Sequence, residues 1–288
     1  CFLDIIQNAQ TDNEYTFKAH GNLGVLYKNT GRIDEAIFHL ERSSASSFKR
    51  IDSIIDLKSL NNLGACYHNS NRSDEAIDVL KKALTNSITF LEKSTSKNEK
   101  QDIKSLQANI YTNIAISLKN IYLKDNINQH LYDAEEYLSK AISIEETLGN
   151  DNLLGRHYGN LSAIYRLLND NDNYKKYALL SFDIFRYHGS EKEKLVSELN
   201  EGLFYNVNKE FDKALKQFNS LLNNPNIGKY PKLKALTLIN ATYTYDSLDN
   251  PEKAQALIIR ARDISIKHKL TREMEYIKRE CQRYFNNN

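Results

Sequence analysis

The stretch Gly21-Asn22-Leu23-Gly24-Val25-Leu26-Tyr27 returns 40 residues later as Asn61-Asn62-Leu63-Gly64-Ala65-Cys66-Tyr67. Each copy is followed by one tetrapeptide, Asp34-Glu35-Ala36-Ile37 and Asp74-Glu75-Ala76-Ile77. Self-similarity at a fixed period marks a repeat architecture, so the period governs the reading of everything else. The small position of Gly24 and Gly64 recurs as Ala115, Ser162, Gly202 and Thr242, and a second column runs Ala36, Ala76, Ala134, Tyr174, Ala214 and Ala254. Spacings in that second column are 40, 58, 40, 40 and 40. The 58 holds one period plus 18 residues, 11 of them in the polar stretch 93–104 and 7 within 120–133. Such insertions are expected at connections between helices, where a stack of hairpins tolerates them.

Within each period the apolar spacing predicts two antiparallel helices. Helix A of the first repeat carries Ala19, Leu23, Leu26 and Tyr27 on one stripe, and helix B carries Ile33, Ile37 and Leu40. Small residues at both marked columns let the two helices cross closely. Gly31, Asn71 and Asn169 stand between helices, where a left-handed residue ends a helix. Acidic residues recur at the start of helix B (Asp34, Asp74, Asp172, Asp212 and Glu252), offsetting the positive end of its dipole. Residues 271–285 place Met274, Ile277, Cys281 and Tyr284 on one stripe and read as a helix capping the last hairpin.

This pattern resembles the tetratricopeptide repeat from about Asn13 to Leu270. The first two repeats match its small, Tyr and Ala positions best, the fifth in part; the fourth departs at Tyr174 and the third carries the insertions. The 40-residue period exceeds the family's commonest 34 and is similar to the long-helix repeats of kinesin light chains, spindle-orientation adaptors and bacterial peptide-sensing regulators. The resemblance implies an all-α fold: a right-handed superhelical solenoid of antiparallel helix hairpins, about six repeats plus a C-terminal capping helix. It reads as one solenoid domain over 1–288, with 1–12 the end of a preceding helix, 13–270 the six repeats and 271–288 the cap and tail. The chain begins at Cys1 rather than Met, which is read as a fragment or a processed product, with a lipid-modified cysteine terminus left open.

The resemblance also implies that helix A lines a concave groove. Two residues before the small position, six repeats carry six asparagines: Asn22, Asn62, Asn113, Asn160, Asn200 and Asn240. Asn is a mediocre helix former, so something other than propensity holds it there. An amide offers a donor and an acceptor to a peptide group and can grip an extended backbone; asparagine does this in the long-helix adaptors. The alternative is an interhelical hydrogen bond that fixes the stacking. Around this column stand Lys18, Lys28, Lys58, His68, Lys119, Arg156 and Arg166, with Asn29, Asn69 and Asn120. If they face inward, that half of the groove is basic and suits an acidic or phosphorylated segment or a terminal carboxylate; otherwise they are solvated charges at its rim. The fifth and sixth repeats offer Leu199, Leu203, Val207, Ile239 and Tyr243, an apolar wall for an aromatic or aliphatic anchor or a surface for the cap to cover.

The expected function is a protein-interaction scaffold binding an extended peptide in its groove; the alternative is the peptide-sensing domain of a bacterial transcriptional or signalling regulator. No enzyme is expected. The seven histidines are scattered, and no HExxH, GxSxG or glycine-rich phosphate loop occurs. Cys1, Cys66 and Cys281 match neither a zinc spacing nor a redox pair. No metal or other cofactor is therefore expected. A net charge of +2 gives no reason for nucleic acid, and no apolar run reaches the roughly 20 residues of a membrane span. Oligomeric state and compartment stay open, with the cytoplasm favoured.

Overall fold

The computed structural model describes residues 2–8, 13–47, 54–270, 274, 277 and 278, and among them every regular element is a helix. In order these are α1 (Phe2–Asn8), α2 (Glu14–Asn29), α3 (Ile33–Ser47), α4 (Ile54–Asn69), α5 (Ser73–Lys93), α6 (Lys97–Asp125) and α7 (Gln129–Leu148). They continue as α8 (Asp151–Leu167), α9 (Asn171–His188), α10 (Glu191–Val207), α11 (Phe211–Asn223), α12 (Pro231–Ser247) and α13 (Pro251–Lys267). The helices start where the sequence supplies partners for their free N–H groups. Asn13 and Ser190 form capping boxes with Thr16 and Glu193, and Pro231 and Pro251 occupy first-turn positions where no N–H is needed.

The repeat unit is the pair α2/α3 and its successors. Five pairs are joined by one turn, in which a left-handed residue sits two positions after the A helix: Gly31, Asn71, Asn169, Lys209 and Asp249, with φ from 55° to 79°. The N–H of the next residue donates to a tyrosine carbonyl one turn back, as in Arg32 to Tyr27 and Glu210 to Tyr205, both at 2.9 Å. The small column fits because helix B drives a large side chain at it. A Cβ on Gly24 or Gly64 would lie 2.5 Å from Leu40 or Leu80, and one on Gly202 would lie 2.3 Å from the Phe218 ring.

The insertions depart from expectation. Apart from Ser94–Ser96 and Asn126–Asn128 they are helical: α5 reaches 21 residues and α6 reaches 29, against 15 for α3 and 16 for α4. The added turns bury their own apolar and polar groups. Ile103 and Ser87 are fully buried, and Gln107 donates to Ser87 at 3.0 Å. Extending two paired helices together satisfies every backbone group and buries surface, which a long loop cannot do.

The chain forms two compact units, residues 1–174 and 175–288, with the boundary inside α9. In the first, successive helices from α1 to α8 pack on one another, and the A helices α2, α4, α6 and α8 also touch in sequence. In the second, α10, α11, α12 and α13 pack likewise around Leu199, Phe218, Leu221 and Ile227. Of the expected cap, Met274, Ile277 and Lys278 are described. Ile277 is fully buried against Leu238, Ile239 and Ile258, while Cys281 and Tyr284 lie outside the described residues.

Candidate functional site

The A helices carry the expected residues in columns whose neighbours the structure now defines. Two of the residues two positions after the small column meet the preceding A helix: the Cys66 thiol lies beside Lys28, and Thr244 donates to Asn206 at 2.8 Å. These positions are buried at Cys66, Ser117, Ile164, Phe204 and Thr244. Leu26 holds the same column yet is 52 % exposed, contrary to its place on the core stripe; α2 is the first A helix and is preceded by the 7-residue α1 alone among the described elements.

Four positions after the small column come Lys28, His68, Lys119 and Arg166, of which Lys28 and His68 meet residues of the next A helix, Asn62 and Asn113. Lys28 Nζ donates to Asn62 on α4. Burial lowers the pKa of Lys28, and burial together with the like charge of Arg166 lowers that of Lys119. Neither ammonium has a carboxylate partner among the described residues. Arg166 is exposed.

His68 differs from its neighbours in the column. It is 8 % exposed, and burial pushes its pKa down to about 4; a hydrogen bond to Asn113 works upward, and the charges of Lys119 and Lys28 reinforce the fall. Its Nδ1 atom is buried without a hydrogen-bond partner. The sequence reading grouped it with the basic residues, but at neutral pH it is an uncharged ring.

A second basic set, Lys18, Lys58 and Arg156, lies six positions before the small column and is exposed. On one helix this is about 15 Å from the first set, at 1.5 Å per residue. Lys18 is paired with Glu14 at 2.5 Å, while Lys58 has no partner among the described residues.

The asparagine column lies between these two sets and is not uniform. In the first unit Asn22 is exposed and Asn160 half-buried, and neither side chain has a hydrogen-bond partner among the described residues. Asn62 accepts from Lys28, and Asn113 donates to Asn61 at 2.8 Å, a bond between α6 and α4 that serves the stacking. In the second unit Asn200 is exposed and has no partner among the described residues, while Asn240 donates to the Leu236 carbonyl of its own helix at 2.7 Å. Asn22, Asn160 and Asn200 thus carry side chains with no hydrogen-bond partner among the described residues, and Asn113 links α6 to α4.

The apolar positions also divide. Leu199 and Ile239 are core residues, 5 % and 7 % exposed, and Leu203 packs partly against the same core. Tyr243 and Val207 remain open to solvent. Sequence reading missed Asn61 and Asn206, which tie neighbouring A helices together; Asn206 was recognisable from its register with Lys28, His68, Lys119 and Arg166. Among the described residues no helix is long and apolar enough to cross a membrane, and no group of three His, Cys, Asp or Glu could hold a metal ion.

Residues 15–88 match the family model described as tetratricopeptide repeat. No curated protein matches the sequence. Among solved structures, the apo form of RapI superimposes with a TM-score of 0.69 at 13 % identity, over 94 % of this chain and 91 % of that one. A Rap protein complexed with competence and sporulation factor gives 0.66 at 13 % identity, over 99 % and 79 %. The apo form of the quorum sensor NprR from B. thuringiensis gives 0.66 at 14 % identity, over 98 % and 74 %. The fold is that of tetratricopeptide-type solenoids.

Proposed function

We propose that this tetratricopeptide-type chain is a protein-interaction scaffold that binds an extended, acidic polypeptide segment along its A helices. The observation that carries this is the pair of half-buried ammonium groups, Lys28 and Lys119, which have no carboxylate partner among the described residues. Burying a charge without a partner is costly, and an anion from outside would relieve that cost. The free amides of Asn22 and Asn160 supply backbone contacts beside it, as in strand-like peptide recognition. Lys58, Arg156 and Arg166, being exposed, steer such a segment and select its register rather than add much affinity. A free C-terminal carboxylate suits either ammonium, Lys28 or Lys119, as well as an acidic side chain does. In the second unit, Asn200 and Tyr243 are the available contacts. No catalytic step is assigned to any of these groups.

The length scales give a test. Neighbouring A helices lie about 8–10 Å apart, and an extended peptide advances about 3.3 Å per residue, so acidic side chains three apart match successive helices. A labelled dodecapeptide with Glu at every third position is compared with its Gln counterpart by fluorescence anisotropy. Wild-type protein is expected to prefer the Glu peptide about tenfold, equivalent to about 1.4 kcal/mol. Lys28→Gln with Lys119→Gln should erase the preference. Equal affinity of wild type for the two peptides overturns the acidic-ligand reading.

A second reading, the peptide-sensing domain of a regulator, is favoured by the quorum sensor and the factor-bound Rap protein among the structures of this fold. It uses the same face, and a parent chain that carries a DNA-binding or signalling output domain would decide for it.

A further inference from the structure

A cavity of about 410 Å³ opens in the second unit where Phe182 and Arg186 of α9 and Gln217 of α11 meet one face of α10. That face carries Lys194, Ser197, Glu198 and Glu201, at i, i+3, i+4 and i+7, so helical geometry sets the four residues in one stripe. The volume lies within the range of sites that hold one small ligand, about 300–1,000 Å³.

The polar groups around it divide into engaged and free. Glu201, with its side chain only 16 % exposed, accepts from Arg186 at 3.4 Å, from Gln217 at 3.3 Å and from the Tyr205 hydroxyl at 3.3 Å. Arg186 also donates to Asp183 at 3.3 Å, so its charge is shared between two carboxylates. Glu198 is half-buried and has neither a hydrogen bond nor an ion pair among the described residues. Burial raises its pKa, the like charge of Glu201 raises it further, and Arg186 opposes the rise. Ser197 is 6 % exposed, and its hydroxyl has no hydrogen-bond partner among the described residues. Two neighbouring acceptors thus stand unpartnered at one cavity, and a cationic donor from outside relieves the cost of both.

The shape of that cation follows from the acceptors. Ser197 and Glu198 leave the helix in directions about 100° apart, and Gln217 offers an amide oxygen from α11. An ammonium is a compact, strongly hydrated point charge. A guanidinium is planar, weakly hydrated and presents five donors in fixed directions. The Phe182 ring supplies an apolar wall that suits the flat cation. We propose that this cavity takes a guanidinium group, carried by an arginine of a partner polypeptide or by a small guanidino compound, with Glu198 and Ser197 as its acceptors. Lys194 stands one turn from Glu198 and has no ion pair among the described residues, so it competes with that ligand rather than contacting it. The site uses none of the groups on which the acidic-segment reading rests.

The test follows the backbone amide shifts of Ser197, Glu198 and Glu201 in the full chain during titrations at fixed ionic strength. The probes are acetyl-arginine methylamide, its uncharged citrulline counterpart, its lysine counterpart and free arginine. Wild type is expected to bind blocked arginine about fivefold more tightly than blocked citrulline and about threefold more tightly than blocked lysine. Glu198→Gln should lose the preference over citrulline. Lys194→Gln should bind blocked arginine about twofold more tightly than wild type does. Blocked arginine binding at least as tightly as free arginine assigns the site to a polypeptide; tighter binding of free arginine assigns it to a small guanidino ligand. Equal binding of blocked arginine and citrulline by the wild type overturns the proposal without recourse to a variant, as does the absence of saturable shifts at these three residues. Parity of lysine with arginine overturns the guanidinium assignment, and weaker binding by Lys194→Gln overturns the reading of the cavity as a cation site.

Discussion

Single residues set the turns of this chain, and two of them do so at a cost. The left-handed position after each A helix is filled by Gly31, Asn71 and Asn169 in three repeats, which suits that conformation. In the fifth and sixth repeats it is filled by Lys209 at φ 60° and Asp249 at φ 55°. Lys209→Gly is therefore expected to raise stability by about 0.5–1 kcal/mol, after the entropy lost in the unfolded chain is counted. The midpoint of urea unfolding, with an unchanged slope, measures it; a lowered midpoint would show that the lysine is not strained. The columns of small residues, tyrosines and asparagines were legible from the sequence because the period brings them into register. Burial of His68, Leu199 and Ile239 was not legible, because register says which helix face a residue occupies and not how close the next helix comes.

Elements, in turn, show how an insertion is absorbed. The extra residues of the third repeat were readable as a break in spacing, and polar composition around 93–104 pointed to a loop. The structure makes most of them helix, since each lengthened helix closes its own backbone hydrogen bonds and packing buries Ile103 of α6 fully. This difference is measurable. Ile103→Ala should cost about 2–5 kcal/mol, as for a fully buried aliphatic residue. A cost near zero would mean that the added turns are only loosely attached. The same extension places Glu145 of α7 in full burial, where Ser105 of α6 donates to it at 2.9 Å and Asn150 also bonds to it. That network ties the insertion to the following repeat, and the sequence offered no sign of it, because Ser105 and Glu145 meet only through the packing.

At the scale of the whole molecule, the fold was the most legible level, since six matching periods over-determine a stack of hairpins. The ligand face was legible as columns, and its division into free and engaged groups was not. That division narrows the account to testable contacts in the first unit: the free amides of Asn22 and Asn160, and the unpartnered ammonium of Lys119. The most direct test is to select binders from a displayed library of random dodecapeptides against the wild type and against an Asn22→Ala, Asn160→Ala, Lys119→Gln variant of equal helicity. The account predicts that the wild type enriches a related set of acidic peptides and that the variant fails to enrich them. Recovery of the same peptides by both proteins would contradict it and place binding, if any, on a different surface of the chain.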